Sequence, residues 1–263
     1  MHKGMTGFQL KVIGVITMVI DHLAEFFLFL GIPMWFHWIG RIAAPLFLFE
    51  SSEGFVHTSN RKKYMFRLLA GYWLMGIINQ ILNHFFTVGD AIVINNIFGT
   101  IFLGTVYMQA CEYFKKRNIG KGLLWFLVPT LLSVFTLMLL SSGTLFESKW
   151  GMLFFQLFTM IVPTVMLTEG GVLLVLLAVL FYLFHGKKAL QVASLIIIAM
   201  ITLIFGGGIQ YAFTFNYQWM MLLAAIPIIL YTGEKGRGMR NFFYIFYPAH
   251  IALFAIISFL IQR

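Results

Sequence analysis

Ten apolar stretches follow one another along the chain, at roughly 8–30, 36–57, 65–85, 92–114, 122–142, 151–167, 170–185, 189–209, 217–232 and 241–261, with short polar breaks between them. A chain built this way has too little polar surface to cover itself in water. Of its 263 residues, 60% are hydrophobic and 10% are charged, against about 25% charged in an ordinary soluble domain. That excludes a soluble enzyme, a disordered protein and a secreted disulfide scaffold, and the lone Cys111 has no internal partner for a disulfide. A membrane-crossing helix needs about 20 apolar residues. The stretches therefore read as an all-α, polytopic integral-membrane helical bundle in the lipid bilayer, with 1–263 as a single domain. A transmembrane barrel would show ~10-residue alternating segments instead. The first stretch carries Asp21, His22 and Glu25 and is followed by no small-residue cleavage site, so it reads as a membrane helix and not a signal peptide.

The net charge of +9 would suggest nucleic acid in a soluble chain. Here the basic residues sort by loop, so the charge is read as a topology signal and no nucleic-acid partner is expected. Lys3 and Lys11 lie at the start; Arg61, Lys62, Lys63 and Arg67 follow the second stretch; Lys115, Lys116, Arg117 and Lys121 follow the fourth. Lys187 and Lys188 follow the seventh, and Lys235, Arg237 and Arg240 follow the ninth. Basic loops stay in the cytoplasm, which places the N-terminus inside. It also permits one net crossing between Lys149 and Lys187, although two short stretches lie there. Pro163 marks 151–167 as the re-entrant or interfacial one. The expectation is nine full crossings plus one irregular segment, or ten if 151–167 also crosses.

Charged groups at membrane depth cost about 2.5–3.5 kcal/mol each, so each needs a partner or a function. On the first helix, Lys11 and His22 share one face about 16 Å apart along the axis, with Asp21 and Glu25 beside His22. A carboxylate next to an imidazole orients it for acid/base work. The bland alternative is a polar residue satisfied by one carbonyl. The second stretch runs back, so Arg41 lies at the depth of Asp21, a natural ion pair, while Glu50, Glu53 and His57 share a stripe near Lys11. Gln80, His84, Asn95 and Asn96 collect in the outer half, and Glu169 begins the seventh stretch. The last stretch holds Tyr247 and His250, the latter near mid-membrane. No phosphate loop, dinucleotide fingerprint or Cys-rich metal spacing is present. His22, His57 and His250 have no shared local spacing, so no metal is expected.

Several of these residues sit in longer blocks. Leu10-Lys11 with Ile16-Thr17-Met18-Val19-Ile20-Asp21-His22, then Gly40-Arg41-Ile42-Ala43-Ala44-Pro45, Glu53-Gly54-Phe55, His57-Thr58 and Asn60-Arg61-Lys62-Lys63-Tyr64 together resemble the TraX family. The resemblance continues at Arg67-Leu68-Leu69, Asn96-Ile97-Phe98 and Phe243-Tyr244-Ile245-Phe246-Tyr247-Pro248-Ala249-His250. It is dense in the first 110 residues and the last helix and thin between about 120 and 235. Ala44 departs from it, where Phe is usual, and the stretch 151–167 is additional. TraX proteins are named for acetylating the N-terminus of conjugative pilin, and they are similar to a wider class of integral-membrane acyltransferases. That class has a basic residue, ten intervening residues and a His in its first helix. Lys11 and His22 have this separation, with Lys for the usual Arg.

The resemblance implies a multi-pass acetyltransferase of the bacterial cytoplasmic (inner) membrane, with acetyl-CoA as co-substrate. The acceptor would be an amine or hydroxyl of a pilin-like peptide, a glycan or a small amine. Catalytic candidates are His22, Asp21 (orienting it) and His250. Arg41, Glu53, Gln80, Asn96 and Tyr247 are candidates for substrate binding, with Gln80, Asn96 or His250 facing the oxyanion. Lys11, His57, Arg61, Lys62, Lys63 and Arg67 would hold the phosphates of acetyl-CoA, with its arm running between the first two helices. Two rival classes stand beside this reading. A transporter or lipid flippase uses buried charges equally well and would show an inverted repeat. A non-catalytic assembly partner would tolerate replacement of its intramembrane charges.

Overall fold

A computed structural model describes residues 4–87, 92–238 and 240–263, with the side chains of 240 and 241 left out. Lys3 and the side chain of Arg240, two of the basic residues above, lie outside the described residues. The described chain is helical, and its one bridge between extended residues joins Met5 to Tyr231.

Helix α1, Gly7–Phe27, starts in a capping box. The Thr6 N–H donates to Gln9 Oε1 at 2.8 Å and the Gln9 N–H to Thr6 Oγ1 at 3.4 Å, satisfying two otherwise orphaned donors. The expected second helix over 36–57 is instead two helices, α2 (Trp35–Gly40) and α3 (Ala43–His57). Pro45 is the reason. It has no N–H to give the Arg41 carbonyl, and its ring would clash with that carbonyl in a continuous helix. The chain therefore breaks at Arg41–Ile42. Next come α4 (Arg61–Phe85) and α5 (Ile97–Lys115), then α6 (Ile119–Ser141) and the short α7 (Gly143–Glu147). Asn60 and Asn118 cap α4 and α6 through the N–H groups of Lys63 and Lys121.

Helix α8, Lys149–Ile161, has 13 residues, a rise of about 20 Å. It lies along α4, where its last carbonyls find donors. Tyr72 OH donates to the Thr159 carbonyl, and Trp73 Nε1 donates to that of Ile161 at 2.8 Å. Residues 162–170 are irregular, with Pro163 near their start; Gly170 at their end and Gly171, the first residue of the next helix, both take positive φ (72° and 54°). Helices α9 (Gly171–Leu183) and α10 (Lys188–Phe205) follow. The expected helix over 217–232 is a 3-10 run, Tyr217–Ala224, then the short α11, Ala225–Leu230, with Pro227 in its first turn. Helix α12, Arg240–Gln262, closes the described chain.

Five helices among the described residues are long and apolar enough to cross a membrane, those at 7–30, 61–85, 119–141, 188–205 and 242–262. Nine or ten crossings are thus not reached on length and apolarity. Helices α3 and α9, at 15 and 13 residues, fall short alone. The core lies between α1, α3, α5, α9, α10 and α12, around Phe49, Phe55 and Phe181. Small residues let these helices approach without a large apolar driving force between them. Gly104 on α5 faces Ala178 on α9 so closely that a Cβ there would sit 2.9 Å from the Ala178 methyl.

The basic loops gather at one end of the bundle. Lys11 pairs with Glu50 at 2.9 Å, and Arg61 with Glu112 at 2.8 Å. Lys115 Nζ donates to Tyr182 OH at 3.0 Å, and Lys188 Nζ to the carbonyls of Ile229 and Tyr231 at 2.9 and 2.7 Å. The N–H groups of Gly7 and Phe8 donate to the carbonyls of Glu234 and Lys235 at 2.8 and 3.0 Å, so the start of α1 is tied to the loop before α12.

Candidate active site

At the opposite end, the second half of α1, α2, the start of α5, the loop before α9, the 217–224 turn and α12 enclose a cavity of about 60 Å³. Asp21, His22, Arg41, Glu169, Gln218 and Tyr247 are its polar lining.

His22 and His250 are both buried and meet directly, Nδ1 to Nε2 at 2.7 Å, with stacked rings. Pro248 precedes His250 by two residues within α12. His250 Nδ1 lies 2.9 Å from the Phe246 carbonyl one turn back. A carbonyl only accepts, so Nδ1 carries the His250 proton and Nε2 carries its lone pair. His22 must then donate through Nδ1–H, which leaves its Nε2 unprotonated. That nitrogen lies 3.4 Å from Asn95 Nδ2 and 3.8 Å from Glu25 Oε2, and Asn95 Nδ2 also donates to Glu25 at 2.9 Å. The arrangement is a neutral imidazole held in one tautomer by a neighbour that is itself held, as a general base requires.

Asp21 is not that neighbour. The expectation that it orients His22 is corrected: its carboxylate takes Arg41 through one oxygen and His37 Nδ1 through the other, the latter at 2.8 Å. The Asp21–Arg41 pair expected from depth is present. Arg41 also donates to Gln218 Oε1 at 3.2 Å and lies over the Tyr217 ring, on which His37 stacks. Gly40 makes this possible, since a Cβ there would overlap the Asp21 side chain. Tyr247 packs edge-on to His22 and accepts from the buried Ile97 N–H at 3.1 Å. Arg41 Nε, Asn95 Oδ1 and Asn96 Oδ1 are buried without a hydrogen-bond partner among the described residues. Unsatisfied groups of this kind cost about 1–3 kcal/mol each and favour a polar ligand.

Other expected residues go elsewhere. Gln80 accepts from Gln156 at 2.5 Å, binding α4 to α8 and not facing the cavity. Asn96 donates to the Tyr72 carbonyl at 3.0 Å, and both ring nitrogens of His250 are engaged. Of the three, only His250 faces His22, and it does so through the ring nitrogen that accepts from it. Glu53 and His57 lie at the far end of α3, about 18 Å of helix from Arg41. Glu53 is bound there to His185 at 3.2 Å, away from the cavity. Lys11 and Arg61 are neutralised by Glu50 and Glu112. Lys62 and Lys63 are exposed, and Arg67 is half-buried. Lys62 and Lys63 have no carboxylate partner among the described residues, so of the basic set they best suit a phosphate. Two contacts line the route expected between the first two helices. The Phe47 ring lies against Gly14, where a Cβ would sit 3.1 Å from it, and the Lys11–Glu50 pair lies toward the inner side.

His37, Asn95 and Gln218 had no place among the expected site residues. His37 sits in Trp35-Phe36-His37-Trp38, which reads as an interfacial aromatic run. Asn95 did stand out as polar in an apolar stretch, but its pairing depends on a loop path that spacing does not reveal.

Residues 6–258 match the TraX protein family. The chain is also 28% identical over 259 residues to a "Probable fimbrial assembly protein FimC, serogroup H1" of Dichelobacter nodosus, covering 94% of this chain and 93% of that one. No solved structure matches. The match spans both histidine-bearing helices and the segments between them, and the chain belongs to the TraX family of membrane proteins.

Proposed function

We propose that this protein is an integral-membrane acetyltransferase whose general base is His22 Nε2. The single observation that carries the reading is the tautomer chain from the Phe246 carbonyl through His250 to His22. It presents a lone pair at a buried site lined by a guanidinium. Acetyl-CoA, when bound, supplies an activated thioester. His22 Nε2 takes the proton of the attacking amine or hydroxyl and passes it to the departing sulfur. Arg41 carries the negative charge that grows on the carbonyl oxygen, the kind of donor often worth about 2.7–4 kcal/mol. Asp21 and His37 hold Arg41 in place, and Tyr247 and Asn95 fix the position of the imidazole.

The basic end is proposed to face the cytoplasm by the positive-inside rule, with the N-terminus inside a bacterial inner membrane. Lys62, Lys63 and Arg67 would hold the donor's phosphates at that end. The broken α2–α3 pair and the half-length α8 with residues 162–170 would complete a bundle of nine crossings with one re-entrant segment. The name of the Dichelobacter nodosus relative supports an acceptor among fimbrial subunits, at an N-terminal amine or a hydroxyl. The test is transfer of labelled acetyl from acetyl-CoA to a pilin-like peptide by the purified protein in nanodiscs. Label on the peptide, lost in His22→Ala, is expected. Equal transfer by the wild type and His22→Ala would overturn the assignment.

A further inference from the structure

Helix α3 ends with Glu53 and His57 one turn apart on the same face. The turn between α9 and α10 brings His185 against them. His185 Nε2 lies 3.2 Å from Glu53 Oε1, the His57 Nδ1 atom is 4.0 Å from Glu53 Oε2, and the two imidazole centroids are 5.6 Å apart. One ligand atom from each residue falls within 4.8 Å of the other two. We propose that Glu53, His57 and His185 bind a zinc-class divalent cation at the basic end of the bundle, clamping α3 to the α9–α10 turn.

The donor set decides the class of ion. Two imidazoles and one carboxylate suit zinc and its transition-metal neighbours, whereas magnesium and calcium prefer all-oxygen shells. Tetrahedral zinc with bonds of about 2.0–2.2 Å sets its ligands ~3.4 Å apart. The present spacing closes to that by a small turn of the His57 ring, whose side chain is 66% exposed and free to move. The supporting contacts are also in place. The Glu53 backbone carbonyl, 2.9 Å from His57 Nδ1, holds that ring beside the carboxylate. Tyr231 OH donates to Glu53 Oε2 at 3.4 Å and steadies the carboxylate. The Glu53 side chain is only 12% exposed, so its carboxylate is nearly buried. A divalent cation compensates it, with water in the fourth position. The site lies at the other end of α3 from the His22 cavity, and its ion takes no part in the proposed transfer.

Full-length protein purified with a histidine-free tag, stripped with EDTA and titrated with zinc chloride by calorimetry tests this. One ion per chain is expected, with Kd at or below about 10 µM. His57→Ala, His185→Ala and Glu53→Gln should each weaken binding at least tenfold without lowering the metal-free melting temperature. His84→Ala, on α4, should bind as the wild type. Cobalt added to the stripped wild type should give visible d–d bands that the three variants lack. If a variant fails to fold, zinc protection of His57 and His185 from diethyl pyrocarbonate in the wild type decides the matter. No zinc binding by the wild type at 100 µM, unchanged affinity in folded variants, or unprotected histidines would each overturn the site.

Discussion

A hydrogen bond between two imidazoles defines its proton only when one ring is already committed, and here the Phe246 carbonyl commits His250. The two histidines should therefore fail differently. His22→Ala removes the base, and transfer should fall by about 10²-fold or more, read as kcat in the peptide assay. His250→Phe keeps the base but frees its tautomer, so the loss should be smaller, and His250→Gln, which can still accept, should recover part of it. A His250→Phe loss as deep as that of His22→Ala, with no recovery in His250→Gln, would make His250 the base and His22 its partner. Asp21→Asn acts through Arg41 and His37 instead. It should leave the His22 tautomer intact, lower transfer less than His22→Ala does as Arg41 shifts, and lower the melting temperature, because Arg41 loses the charge that balances it. Much of this layer was legible from residue type alone. An imidazole at membrane depth has no apolar reason to be there, which singled out His22 and His250, and matching depth paired Asp21 with Arg41. What spacing does not contain is which carboxylate serves which ring. Asp21 is next to His22 in sequence, yet adjacent helix positions point about 100° apart, and its side chain serves α2.

The breaks in the expected stretches 36–57 and 217–232 each have a proline at or near them, and each break positions something. Pro45 stops α2 at the point where Arg41 turns into the cavity. Pro227 lies at the start of α11, just after the 3-10 turn that presents Tyr217 and Gln218 to Arg41. The first signal was readable four residues downstream of the break, but an apolar run on both sides conceals it. The consequence for α2 is a tight seat on α1, with Gly40 against Asp21. Gly40→Ala should destabilise the fold by about 1–3 kcal/mol through overpacking, seen as a lower melting temperature, and should reduce transfer as Arg41 shifts. An unchanged melt would mean the seat is looser than described. On α4, Trp73→Phe strips the Ile161 carbonyl of its donor. It should loosen α8, read as faster proteolysis within 149–170.

The whole bundle is polarised, with its basic loops at one end and its histidine pair at the other. In a Cys111→Ala background, Gly143→Cys should react with an impermeant thiol reagent in intact cells, and Gly120→Cys only after permeabilisation. The two positions lie at opposite ends of α6, whose 23 residues rise about 35 Å, so the opposite pattern would invert the topology. Reversing the charge of Lys62 and Lys63 should weaken acetyl-CoA binding in calorimetry more than it slows saturated turnover, and unchanged affinity would remove those two residues from the donor site. The hydrogen bond between His22 and His250 also joins residues 228 apart in sequence. A ribosome makes α1 early and α12 last among these elements, so for most of synthesis His22 has no partner to fix its proton. On the proposed mechanism, a half-made copy in the membrane, or one cut short before His250, would carry the base without the neighbour that fixes its proton. Full transfer would then arrive only when the closing helix inserts.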